Sequence, residues 1–68
     1  MKMPEWFKKK KRLPGAGYAK VKIRLDLAMV RDVAKARAAM DFGIKNPYIQ
    51  KNEFRDGFCY VMVIEEPK

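Results

Sequence analysis

Histidine is missing from this chain, and cysteine occurs once, at Cys59. No disulfide closes within one copy, and a Cys/His zinc site is excluded. A single cysteine suits a reducing compartment, and Cys59 lies in an apolar run where it reads as a small core residue. Long apolar runs are lacking too. The longest, Phe58–Ile64, falls far short of the roughly 20 residues of a membrane-spanning helix. The first residues are charged where a secretion signal has its apolar region, so the expected location is cytoplasmic, with nucleoid or nucleus as variants. Acidic side chains are scarce, 8 against 16 Lys and Arg, for a net charge of +8.

The chain has 68 residues, enough for one domain. A domain of this size buries a small core and is marginally stable without a staple or a partner. With disulfides and zinc excluded, oligomerisation or binding is the remaining support, and a homodimer is expected. Residues 1–17 carry six cations and one acid, a net +5, and residues 18–68 carry ten and seven, a net +3. This balance points to nucleic acid or an anionic surface as partner.

Residues 1–17 read as a basic, flexible arm. Pro4, Pro14, Gly15 and Gly17 interrupt regular structure, and the run Lys8, Lys9, Lys10, Lys11, Arg12 repels itself. Trp6-Phe7 is out of place in a solvated arm, so these rings are expected to pack on the domain, a second subunit or the partner. Residues 18–27 alternate between apolar (Ala19, Val21, Ile23, Leu25, Leu27) and mostly charged (Tyr18, Lys20, Lys22, Arg24, Asp26) positions. That period of two predicts a half-buried strand ending near Asp26. Asp26 is a plausible N-cap for a helix over 28–41, with Met29, Val33, Ala36 and Met40, flanked by Val30, as its apolar stripe and Gly43 as its stop. Asn46-Pro47 signals a turn into a second strand, Tyr48–Arg55. Asp56-Gly57 is a strong hairpin signal leading to a third, Phe58–Ile64.

The expected fold is thus α+β. Residues 18–68 form a β-α-β-β domain whose three-stranded antiparallel sheet has the third strand in the centre and one helix on one face. Across a two-residue turn, Arg55 pairs with Phe58, Glu53 with Tyr60, Lys51 with Met62 and Ile49 with Ile64. Phe54, Asn52 and Gln50 face Cys59, Val61 and Val63. Placing Cys59, Val61 and Val63 under the helix, with Val21, Ile23 and Leu25, leaves the other face without cover. That face collects Lys20, Lys22, Arg24, Lys51 and Arg55 around Phe58, Tyr60 and Met62. Cations neutralise phosphates and aromatic rings stack bases, a combination suited to single-stranded nucleic acid.

The segment Arg55-Asp56-Gly57-Phe58-Cys59-Tyr60-Val61-Met62-Val63 resembles the RNP1 strand of RNA-recognition motifs. The resemblance spans nine residues. It matches Phe58 and Tyr60 to the base-stacking positions, Gly57 to the glycine and Val61 to the valine. Asp56 stands at the basic position, Val63 replaces the last aromatic, and Lys22 stands where the partner strand usually carries a stacking ring. It implies a similar surface rather than a shared fold.

The candidate nucleic-acid-binding residues are therefore Lys8, Lys9, Lys10, Lys11, Arg12, Lys20, Lys22, Arg24, Arg55, Phe58 and Tyr60. Two other uses of the aromatic face stand beside base stacking. It could form a dimer interface, or the third strand could turn its other face to the helix. No paired carboxylates, Ser/His or Cys/His arrangement or phosphate loop is present, since Gly15-Ala16-Gly17 precedes a strand rather than a helix. A non-enzymatic protein without cofactor is expected. The competing reading is a small modulator or inhibitor, of the kind phages encode, that docks its basic face or a strand edge on a larger acidic protein.

Overall fold

The computed structural model describes residues 3–8 and 15–67. Its elements run α1 (Glu5–Lys8), β1 (Ala16–Lys22), α2 (Leu27–Phe42), β2 (Pro47–Arg55) and β3 (Phe58–Glu65). The strands form one antiparallel sheet in the order β1-β3-β2, so the third strand is central, as its apolar residues on both faces demand. α2 packs on one face of this sheet, and the architecture is α+β.

Two local signals set the hairpin and the helix. Asp56 and Gly57 both adopt positive φ, 51° and 80°, the backbone a tight two-residue turn needs. Asp26 caps α2: its Oδ1 accepts the Met29 N–H at 3.1 Å, and its carbonyl accepts the Val30 N–H. Gly43 closes the helix in the left-handed region with its N–H on the Ala39 carbonyl.

The core differs from expectation in which side of α2 it uses. Val30, Ala34, Ala38 and Ala39 are buried with Ala19, Ile44, Cys59, Val61 and Val63. Met29, Val33 and Met40 are exposed, at 63%, 43% and 81%, and Ala36 is exposed with them. Both sets recur at helical spacing, so periodicity alone does not separate them. Close approach does. A Cβ on Gly17 would lie 2.6 Å from the Phe42 ring and 2.9 Å from the Ala38 carbonyl oxygen. At that separation only small side chains fit between helix and sheet, and the larger stripe turns outward.

The strand bounds shift for related reasons. β1 begins at Ala16, inside the stretch expected to belong to the arm, and ends at Lys22. Beyond it, the Ile23 N–H still donates to the Gly57 carbonyl at 2.8 Å, and then the chain turns towards Asp26. Leu25 consequently leaves the sheet and is fully exposed rather than lying under the helix. In β2 the pairing follows expectation from Arg55 to Lys51 and then shifts at a bulge between Ile49 and Lys51. Ile49 now faces Val63 and packs against the core, while Tyr48 faces Ile64. An unbroken register would have left Ile49 outside and put Gln50 towards the helix, and the extra residue avoids that. Glu65 fastens the α2–β2 loop by accepting the N–H groups of Lys45 and Asn46 at 2.7 and 3.3 Å.

Candidate nucleic-acid interface

The sheet face opposite α2 has a cover after all. α1 folds back across it, with the Phe7 and Lys8 N–H groups on the Pro4 carbonyl at 3.0 and 3.1 Å. Pro4 and Phe7 are buried. The Phe7 ring meets Tyr60 edge-on at 4.9 Å and Tyr18 at 6.1 Å, and Trp6 stands edge-on to Phe7 at 5.7 Å. Such aromatic contacts add about 0.5–1.5 kcal/mol each beyond burial. Of the three sites open to the Trp6-Phe7 pair, the described residues show the first, its own domain.

This cover reorders the candidate site. Tyr60 is 2% exposed and Met62 is buried as well, so Tyr60, with Phe7 against its ring, offers no face to a base while α1 is docked. Phe58 remains half-buried at the hairpin end of β3. The Lys20 ammonium lies 4.6 Å from its ring centre and 5.9 Å from that of Tyr60, a cation–π arrangement that holds the charge beside the open ring. Pairing places Lys20, Lys22, Lys51 and Arg55 on the same face as Phe58. Glu53 shares this face and binds Arg55 at 2.6 Å, which lowers the net field that Arg55 contributes.

Three expected members stand apart. Arg24 lies past the end of β1 and borders the groove along α2 rather than the sheet face. Lys8 belongs to α1, where it pairs with Glu5 at 3.7 Å, an exposed contact of small energetic weight. Lys9, Lys10, Lys11 and Arg12 lie outside the described residues. Tyr48 is an addition: the bulge carries it onto the open face at 47% exposure, opposite Ile64. Its signal was the parity break at Ile49, an apolar residue in phase with Lys51, Glu53 and Arg55.

On the helix side, Cys59 is a free, fully buried thiol. Burial pushes its pKa up, with the Arg31 charge opposing in part. That environment suits an inert core residue, not a nucleophile. Among the described residues no group of three His, Cys, Asp or Glu side chains could hold a metal ion. No helix among them is long and apolar enough to cross a membrane.

The fold and this face define a small α+β domain with a basic, ring-centred sheet surface. No family model matches the chain, and no curated protein or solved structure matches it either.

Proposed function

We propose that the chain is a small, basic, non-enzymatic nucleic-acid-binding protein that contacts phosphates through the sheet face opposite α2 and through the Lys8–Arg12 run. The observation that carries this reading is the gathering of Lys20, Lys22, Lys51 and Arg55 around Phe58, with the Lys20 ammonium 4.6 Å from the ring. Cations at this spacing neutralise phosphates, and Phe58 offers one stacking platform of about 1–3 kcal/mol. With Tyr60 under Phe7, phosphate contact outweighs base contact, so affinity should depend strongly on salt and weakly on sequence. α1 also supplies in cis much of the cover that a homodimer would otherwise provide for this face.

The test is a titration of single- and double-stranded oligonucleotides across a salt series, paired with the oligomeric state. Neutralising about four phosphates by the sheet cations alone gives a log–log salt slope of about −2.8 for single strands and about −3.6 for duplex, and phosphate contact by the Lys8–Arg12 run steepens both. A flat salt dependence, or no binding at low salt, sinks the proposal.

A further inference from the structure

The exposed stripe of α2 sits beside the β1 edge, which has no neighbouring strand among the described residues. Met29 and Val33, with Val21 and Val30, line a groove of about 330 Å³ that carries three cations, Lys22, Arg24 and Arg37, against one acid, Asp26, whose carboxylate is engaged in capping α2. Val33 and Arg37 continue past Ala36 to Met40. α2 lies over β1 and β3 and touches β2 little, so the helix is centred towards the β1 side of the sheet. A strand added beyond β1 would lie beneath the Met29–Val33–Met40 flank and bring the helix to the middle of four strands.

The two sheet edges are built differently. β2 begins at Pro47 and is broken by its bulge, two devices that discourage pairing with another chain. β1 runs Ala16–Lys22 in unbroken register with β3. The Ile23 N–H bonds to Gly57, so in the antiparallel alternation the odd-numbered residues of β1 bond inward. The backbone groups of Lys20 and Lys22 therefore point away from β3, along the open edge.

Charge selects the occupant. A strand beside β1 would set one row of side chains next to Lys20 and Lys22 and the other next to Met29, Val33 and Met40. A second copy pairing through β1 would bring cations of one chain against cations of the other, which opposes that dimer. We infer that the β1 edge and the α2 flank together form a docking site for an extended, acidic segment of another protein. In that segment acidic and apolar residues alternate, the acids facing Lys20 and Lys22 and the apolar side chains entering the groove. Main-chain hydrogen bonds supply affinity, and the two rows supply specificity. The methionines suit a surface that adapts to several apolar partners. This site shares Lys20 and Lys22 with the nucleic-acid reading, but its groove and edge exclude Lys51, Arg55 and Phe58, so a substitution at Lys51 tells the two apart.

The test uses the full, nuclease-treated chain and two eight-residue peptides, one alternating glutamate with valine and one alternating lysine with valine. Amide hydrogen exchange followed by NMR reads Lys20 and Lys22 directly. Saturating glutamate–valine peptide should slow both amides by at least about tenfold, and the lysine–valine peptide should leave them unchanged. The double variant Met29→Glu/Val33→Glu changes only exposed positions and should weaken the peptide by at least about tenfold through lost apolar contact and like charge. Lys51→Glu should bind it as the parent does. Four results would overturn the inference: equal binding of both peptides, shifts confined to α2 without protection of the two amides, protection of those amides in a peptide-free dimer, or loss of binding in Lys51→Glu.

Discussion

Against one face of the sheet, α2 sets Ala34 and Ala38 in a cluster with Ala19, Val61 and Val63. Against the other, α1 sets a single ring, Phe7, on Tyr60. The first cover is a 16-residue helix held at a distance where one added methyl group collides with a ring and a backbone oxygen. The second is four residues long, too short to be helical on its own, and is held by Pro4 and Phe7. Close packing of small residues makes the α2 side an all-or-none contact. The α1 side is a local one, expected to detach without dissolving the core, and the sheet face it covers carries Lys20, Lys22, Lys51 and Arg55.

The largest expected effect tests the tight side. Gly17→Ala should cost about 3 kcal/mol, at the upper end for overpacking, because Phe42 and the Ala38 carbonyl both stand in the way. Urea denaturation would show it, and a loss under 1 kcal/mol would mean that helix and sheet are not in close approach. Next is Phe7→Ala, expected to cost about 2 kcal/mol, the burial of one phenyl ring. Its signature is selective: hydrogen-exchange protection should fall for α1, while α2 and β3 keep their relative order. Uniform loss across the domain would erase the distinction between the two covers.

Cys59 gives a smaller, pH-dependent effect on the tight side. Burial raises its pKa, so the folded state favours the protonated thiol. Its contribution is complete below the ordinary thiol pKa of about 8.5 and is lost as pH rises from there through the folded value. The urea midpoint should therefore fall more steeply above about pH 8.5 in the parent than in Cys59→Ala. Parallel curves would contradict the burial. The smallest effect belongs to the outer stripe: Met40→Gln should leave stability within about 0.5 kcal/mol, as at an ordinary surface position. A cost above 2 kcal/mol would place Met40 in the core.

How far these contrasts were legible in the sequence depended on whether local chemistry decided them. The Asp56-Gly57 turn, the Asp26 cap and the Gly43 stop follow from side-chain and φ preferences within a few residues, and the central third strand follows from its two apolar faces. The buried side of α2 was not legible, because Val30-Ala34-Ala38 and Met29-Val33-Met40 repeat with equal regularity. The choice between them rests on a missing side chain at Gly17, distant in sequence. The bulge is marked by Ile49 falling out of phase, but two registers had to be weighed against each other to see it. Of the candidate site, Lys20, Lys22, Arg55 and Phe58 share a face as their alternation predicts. Arg24 leaves because the strand ends two residues earlier, and Tyr60 is withdrawn because Phe7, far away in the chain, lands on it.

The most direct test of the central claim, that the α1 side of the sheet receives an anionic polymer, is an amide-shift titration with a single-stranded oligonucleotide at low salt. Shifts should concentrate at Lys20, Lys22, Lys51, Arg55 and Phe58, leave Val30, Ala34 and Ala38 unmoved, and fade as salt is raised. Shifts centred on α2, or a map unchanged by salt, would contradict it.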